Sequence, residues 1–248
     1  MLCYRCGTHV SDDAFTCSNC GAELGSATRA MRIPRRSLRA IREAESLHMR
    51  GATREGIPYD LGDEVVGRYT LLKRLGEGPF GLVFTAFDQE LEREVAVKIL
   101  RSELLTEPSE RQHFEDAVRS ARRLSQHNIV RLHESGFERG CAFITMQHLA
   151  GLNLRRVMEL RQQQGPAGSA LSPSELEPIA RQLISALRYS HLKGAHGNLK
   201  PENIILQPDD LNIKITDFYI CPSIGVQPFV QANADNPWLA PEVRADPT

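Results

Sequence analysis

A glycine-rich turn between two strand-like segments is the feature of this sequence that most restricts its fold. Residues 68–75 have the pattern of a strand, and Gly76, Gly78 and Gly81 follow with G-x-G-x-x-G spacing before a second strand that runs through Phe87. In a dinucleotide-binding fold the same spacing leads into a helix, whereas here it connects two strands. The pattern therefore predicts an antiparallel hairpin whose turn covers phosphate groups.

Six further motifs follow in order along the chain. They are Val-Ala-Val-Lys at 95–98, His-Asn-Ile-Val at 127–130, Phe-Ile-Thr-Met-Gln-His-Leu at 143–149, His-Gly-Asn-Leu-Lys-Pro-Glu-Asn at 196–203, Thr-Asp-Phe-Tyr at 216–219 and Ala-Pro-Glu at 240–242. With these motifs, the region from about Val65 to Glu242 resembles the eukaryotic-type Ser/Thr protein kinases, including their bacterial members. The resemblance implies an α+β, bilobal protein-kinase-like fold with a small lobe over about 65–149 and a partial large lobe over about 150–248.

One helix of the large lobe has a clear start signal. Ser172 and Glu175 have capping-box spacing, with Pro173 at the first helical position. The apolar residues that follow recur at helical spacing, and they predict a helix that ends near Gly194. The recurring residues are Leu176, Ile179, Leu183 and Leu187.

The resemblance also implies a nucleotide site. Lys98 would reach the α- and β-phosphates of ATP, Asn203 and Asp217 would hold Mg²⁺, and Lys200 lies in the catalytic loop. ATP and Mg²⁺ are therefore the expected cofactors. The residues expected around the nucleotide are Gly76, Gly78, Gly81, Val83, Ala96, Lys98, the gatekeeper Met146, the hinge residues Gln147 and Leu149, Asn203 and Asp217.

Four positions depart from the catalytic pattern of the family. Asn198 replaces the Asp that acts as the base, and an amide cannot take a proton as a carboxylate can. Ala117 replaces the Glu of the helix known in the family as αC, which normally pairs with the Lys. Tyr219 replaces the Gly of Asp-Phe-Gly, and residues 234–238 lack the usual Thr. We therefore expect a nucleotide-binding pseudokinase that acts as a signalling adaptor or regulator through a protein partner, with an active but atypical Ser/Thr kinase as the alternative.

Four cysteines near the amino terminus form a second strong pattern. They make two C-x-x-C pairs separated by ten residues, and this spacing supplies the thiolates of a tetrahedral zinc site. Because the chain does not begin like a signal peptide, zinc explains the cysteines better than disulfides do. We predict a structural zinc ribbon over 1–24, with His9 as a less favoured alternative ligand. The pairs are Cys3 with Cys6 and Cys17 with Cys20.

The segment between the two regions, 25–64, is expected to be a basic linker. Eight Arg and two Glu lie between residues 29 and 54, and residues 37–49 have the periodicity of an amphipathic helix. Such a segment is either a solvated tether or a docking element for nucleic acid, an acidic membrane surface or an acidic patch of the same protein. A nucleic-acid-binding function of ribbon and linker is a second alternative, which the scarcity of aromatic residues there disfavours.

Composition and length add two limits. The 41% hydrophobic and 25% charged residues are typical of a globular protein, and no apolar run approaches the roughly 18 to 20 residues of a membrane span. We therefore expect a cytoplasmic protein. Only 184 residues follow Glu64, which is short for a complete kinase domain. The expected large lobe is thus truncated, through a shortened domain covered by a partner, a fragment of a longer polypeptide or a decaying gene.

Overall fold

A computed structural model describes most of the kinase-like region. Several predicted features lie outside the described residues: the four paired cysteines, the basic segment over 29–54, Tyr219 and the motif at 240–242. The described residues are 16, 18, 56–162, 171–192, 194–207, 212–218 and 237–238.

The described residues fall into two compact units, which we call the sheet unit and the helical unit. The sheet unit is centred on 56–148 and also contains 187–200 and 216–218, apart from residue 193, whereas the helical unit contains the described parts of 149–186 and 201–215. No described helix is both long enough and apolar enough to cross a membrane.

The sheet unit is built on one antiparallel sheet of six strands. From Leu71 on, the strands of this sheet are rich in apolar and β-branched residues, which favour extended structure. The order across the sheet is β1-β2-β3-β4-β6-β5. The strands are β1 (Glu64–Val65), β2 (Tyr69–Gly78), β3 (Gly81–Asp88), β4 (Arg93–Leu100), β5 (Leu132–Glu138) and β6 (Cys141–Gln147).

A helix, α1 (Pro108–Arg122), packs against this sheet. Its start is stabilised by a capping interaction, in which the backbone N–H of Glu107 donates to the Glu110 carboxylate over 2.9 Å. The helix buries residues spaced four and seven apart, which form one face. That face includes Phe114, whose ring lies 5.5 Å from the ring of Phe137 on β5.

The chain before β1 belongs to the core of the sheet unit, which differs from the expected linker. Ile57 and Tyr59 are only 3% and 4% exposed, and both pack with the strands. The Tyr59 hydroxyl donates to the Glu138 carboxylate over 2.6 Å, and the same carboxylate accepts the Val66 N–H over 2.8 Å. The last part of the segment 25–64, from Gly56 on, is therefore folded. Ile57, Tyr59 and Leu61 recur at every second position, but the run is short and Leu61 is 56% exposed, so the spacing alone did not indicate which of them are buried.

The helical unit contains two helices and a small antiparallel sheet. One half of the predicted capping box is present, because the Ser172 N–H donates to the Glu175 carboxylate over 2.8 Å, and the Ser172 hydroxyl donates to the same carboxylate over 2.7 Å. A side-chain hydrogen bond from Arg161 to the same carboxylate lowers the pKa of Glu175 to about 2. The elements are β7 (Leu152–Asn153), α2 (Leu154–Gln162), α3 (Pro173–Ser190), β8 (Ile204–Leu206) and β9 (Ile213–Ile215), with strand order β7-β8-β9.

Candidate functional site

The sheet unit brings Lys98 and Asp217 into direct contact. The Lys98 Nζ lies 2.7 Å from the Asp217 Oδ2, and the two side chains are only 7% and 17% exposed. Lys98 reaches this position because it lies on β4, between Val83 on β3 and Ile144 on β6 in the sheet register. Asp217 has a positive φ of 62°, a sparsely populated conformation that is found more often at functional sites than elsewhere.

Helix α1 contributes no carboxylate to this lysine among the described residues. Ala117, predicted to stand at the position of the family's Glu, is half-buried beside the buried face of the helix. Glu115 and Asp116 are both exposed, and Asp116 pairs with Arg119 over 3.3 Å. Neither neighbour therefore pairs with Lys98 in place of the missing Glu.

A small cavity adjoins the Lys98–Asp217 pair. Its volume is about 20 Å³, about enough for one water molecule. Most of its lining is apolar and comes from the sheet and from α1, and it includes Met146, the predicted gatekeeper, which is buried.

His196 connects the catalytic-loop motif to the Thr-Asp-Phe motif. Its Nδ1 accepts the Asn198 N–H over 3.1 Å, so its Nε2 carries the proton and donates to the Thr216 carbonyl over 3.0 Å. Burial lowers the pKa of His196 to about 4, although the Asp217 carboxylate acts in the opposite direction. The neutral ring packs against Phe218 with a centroid distance of 4.3 Å. His196 therefore holds both motifs in register.

The two predicted catalytic-loop residues differ in burial. Asn198, at the position of the family's base, is 4% exposed, and its backbone is held by His196. Lys200 is half-buried two residues further on.

The glycine-rich turn is the predicted hairpin, with Gly78 paired to Gly81 around Pro79 and Phe80. Gly81 is required by packing, because a Cβ atom there would lie 1.9 Å from the Ile99 carbonyl oxygen. By contrast, a Cβ atom on Gly76 or Gly78 would meet no atom of the described residues within 4 Å.

The remaining predicted nucleotide contacts of the sheet unit lie on neighbouring strands. Val83 on β3 pairs with Lys98 on β4, and Ala96 on β4 pairs with Met146 on β6. The register therefore places these predicted contacts side by side on three adjacent strands. Gln147 ends β6 and is half-buried.

Two predicted site residues belong to the helical unit. Leu149 is half-buried, and Asn203 is 5% exposed at the end of a short 3-10 turn over Pro201–Asn203. Next to it, the Glu202 carboxylate accepts a hydrogen bond from Arg155 over 2.9 Å. The joint binding of Mg²⁺ by Asn203 and Asp217 stays a prediction.

The glycine-rich hairpin, the buried lysine on β4 and the Asp217–Phe218 motif together define a protein kinase domain. The chain belongs to the protein kinase domain family, which matches residues 69–246. The expected α+β protein-kinase-like fold is thereby confirmed.

Curated relatives are bacterial Ser/Thr protein kinases. PrkC of Bacillus subtilis is 31% identical over 175 residues, which cover 70% of this chain and 26% of PrkC. PknE of Mycobacterium bovis is 34% identical over 145 residues, which cover 58% of this chain and 24% of PknE. This chain therefore spans about a quarter of the length of these relatives.

A similar solved structure is the PknI kinase domain of Mycobacterium tuberculosis. It has a TM-score of 0.55 and 26% sequence identity, and the match covers 66% of this chain and 64% of that domain.

Sequence reasoning missed two features of the site. It assigned Lys98 and Asp217 to separate partners, the phosphates and Mg²⁺, and did not foresee their direct ion pair. It also gave no role to His196, although a histidine two residues before Asn198 was a visible signal, since its ring can accept a hydrogen bond from a nearby backbone N–H.

Proposed function

We propose that this chain is a nucleotide-binding pseudokinase domain that regulates signalling through a protein partner. The observation that carries the proposal is the residue at the base position. Asn198 is buried there, and its amide cannot accept the proton of a substrate hydroxyl as a carboxylate does.

The groups needed to hold a nucleotide are retained. Lys98 supplies a buried cation for phosphate oxygens, and Asp217 and Asn203 supply the oxygen ligands that Mg²⁺ prefers. No contact with the described residues requires glycine at positions 76 and 78, so these glycines are available for close approach of phosphate to the backbone. When bound, Mg²⁺ neutralises phosphate charge. Lys98 then exchanges Asp217 for phosphate oxygens as its anionic partner.

Thermal unfolding with Mg-ATP tests nucleotide binding. A ligand that binds only the folded state raises stability by RT ln(1 + [L]/Kd), so we expect the midpoint to rise with nucleotide concentration. The rise should disappear in Lys98→Met and persist in Lys73→Met, whose lysine is exposed on β2. Absence of any rise at millimolar Mg-ATP, in the native chain and in Ala117→Glu alike, would contradict nucleotide binding.

The substitution Ala117→Glu tests whether the missing Glu weakens binding. A carboxylate at this half-buried position competes with Asp217 for Lys98 and frees Asp217 for Mg²⁺. We expect Mg-ATP affinity to rise about fivefold, which corresponds to about 1 kcal/mol for one added ion pair. Ser120→Glu adds the same charge at an exposed position of α1 and should leave the affinity unchanged.

An active but atypical Ser/Thr kinase is the second candidate. It is favoured by the identity of 31% with PrkC and 34% with PknE, both named as Ser/Thr protein kinases. Transfer of radiolabelled phosphate from ATP to the chain itself or to a generic basic protein decides between the two. Transfer that Lys98→Met abolishes would support the kinase, whereas transfer that Lys98→Met leaves unchanged would come from a contaminating enzyme and would not count against the pseudokinase.

A further inference from the structure

A second cavity, of about 290 Å³, lies in the sheet unit at the end of the sheet where β4 begins and β6 ends. The three strands around it are neighbours, since Val95 pairs with Gln147 and Leu132 pairs with Met146. Of its lining residues, only Gln147 is also assigned to the nucleotide site. We call this cavity the arginine–histidine pocket; its lining residues are Arg93, Glu94, Arg131, His133, Gln147 and His148.

The charge of the arginine–histidine pocket is predominantly positive. It contains two guanidinium groups, of Arg93 and Arg131, and within the described part of the chain neither forms an ion pair. The single carboxylate of the lining, on Glu94, lies 3.5 Å from the Nδ1 of His148. Neither arginine therefore has an ion-pair partner among the described residues.

Two acidic residues outside the lining, Asp88 and Glu134, act electrostatically on His133 and form their hydrogen bonds elsewhere. The Asp88 carboxylate accepts two hydrogen bonds of 2.8 Å from Arg68. The Glu134 carboxylate accepts hydrogen bonds from Arg68 over 3.2 Å and from the Tyr69 hydroxyl over 2.9 Å. Both carboxylates contact Arg68, and among the described residues neither forms an ion pair with Arg93 or Arg131.

His133 completes the set of donors. It is half-buried, and burial together with the nearby Arg93 and Arg131 lowers its pKa, against the opposing effect of Asp88 and Glu134. A neutral imidazole still offers one ring N–H, and the Gln147 amide offers two more hydrogens.

We propose that the arginine–histidine pocket binds a phosphate monoester dianion, held by the guanidinium groups of Arg93 and Arg131 and by the side chains of His133 and Gln147. A guanidinium group can bind a phosphate through two parallel hydrogen bonds. Neither Arg93 nor Arg131 forms an ion pair among the described residues, so both groups can bind a phosphate in this way. The cavity is close to the lower end of the size range of small-molecule sites, so the ligand is compact. Binding in this pocket does not depend on nucleotide binding at Lys98.

Calorimetric titration of the full chain with O-phospho-L-serine tests the proposal. We expect binding that weakens about tenfold or more when Arg93→Gln and Arg131→Gln are combined, since two charge-assisted contacts are lost. Arg122→Gln, which removes an exposed arginine at the end of α1, should bind like the native chain. Absence of binding to the native chain, or equal binding by the double variant and the native chain, would overturn the proposal.

Two further measurements distinguish binding in this pocket from binding at the nucleotide site. Lys98→Met should keep its affinity for phosphoserine, whereas loss of binding in that variant would assign the phosphate to the nucleotide site and overturn the proposal. The imidazole NMR signals of His133, identified with His133→Gln, should shift during the titration of the native chain, and the absence of a shift at saturation would also overturn it.

The source of the phosphate is resolved with a matched pair of peptides. A short phosphoserine peptide that binds more tightly than free phosphoserine indicates a phosphorylated protein segment, and equal affinity indicates a small phosphate ester. Both results support the proposal, provided that the unphosphorylated peptide binds at least tenfold more weakly than the phosphoserine peptide. Equal affinity of the two peptides would contradict the proposal.

Discussion

The Nζ of Lys98 lies 2.7 Å from the Oδ2 of Asp217, although 119 positions separate the two residues in the chain. Both side chains are largely buried, so each charge is stabilised mainly by the other. The pair gives Lys98 an anionic partner, which Ala117 on α1, predicted to replace the family's glutamate, does not supply.

A double-mutant cycle measures this pair. Lys98→Met and Asp217→Asn should each lower the free energy of unfolding by about 1.5 to 3 kcal/mol, because each leaves a buried charge without its partner. The loss of unfolding free energy in the double variant, measured by urea unfolding, should be about 1 to 3 kcal/mol smaller than the sum of the two single losses. The exposed pair of Glu177 and Arg181 is the control, with an expected coupling of at most about 0.5 kcal/mol. Additive losses at Lys98 and Asp217 would contradict the interaction.

The glycines of the hairpin should differ sharply in their tolerance of a side chain. Gly81→Ala places a Cβ atom 1.9 Å from the Ile99 carbonyl oxygen, so we expect a loss of stability of about 3 kcal/mol or more. Gly76→Ala meets no atom within 4 Å and should change stability by about 0.5 kcal/mol or less, while it weakens Mg-ATP binding. Thermal unfolding with and without Mg-ATP separates the two effects, and equal destabilisation by both variants would contradict the packing role of Gly81.

The start of α3 should contribute stability that depends on pH. The hydrogen bond from Arg161 keeps the pKa of Glu175 at about 2, compared with about 4.3 in an unfolded chain. A lowered pKa in the folded state means that the contribution is present above about pH 4.3 and is lost as the pH falls towards about 2. Glu175→Gln should therefore cost about 1 to 2 kcal/mol at pH 7 and almost nothing near pH 2, measured by circular dichroism.

Glu177→Gln is the matched control for that experiment. Its carboxylate lies on the same helix but pairs with Arg181 on an exposed face, so we expect a small effect at both pH values. A pH-independent loss in Glu175→Gln would show that the carboxylate charge is not what stabilises the helix start.

The predicted zinc ribbon implies that the purified protein contains zinc. The full chain, purified without chelators, should contain about one zinc ion per molecule, because four thiolates fill a structural tetrahedral site. The combined change of Cys3→Ser and Cys17→Ser should remove the zinc, whereas Cys141→Ala, in the buried β6, should keep it. Mass-spectrometric metal analysis gives the result, and a zinc-free native chain would contradict the ribbon.

Local patterns were predictable wherever neighbours in sequence are also neighbours in space. The capping box of Ser172 and Glu175 spans three residues, and the hairpin around Gly78 and Gly81 spans one turn, so both could be predicted from spacing alone.

Contacts between distant segments were not predictable in this way. Ile57 and Tyr59 lie in a stretch whose composition is typical of a linker, and only the strands packed around them reveal that they belong to the core. Arg93, Arg131 and His133 form one pocket only because β4, β5 and β6 are adjacent in the sheet, an order that their sequence does not state.

The sequence by itself determined the family, and it predicted the groups available for nucleotide binding and the replacement of the base by Asn198, because these depend on residue type and on spacing along the chain. Only the tertiary structure decided which charges meet. It pairs Lys98 with Asp217 and Arg68 with Asp88. Among the described residues it gives Arg93 no ion-pair partner. Such pairings depend on distances across the sheet, and electrostatic interactions fall steeply with distance and with exposure to water.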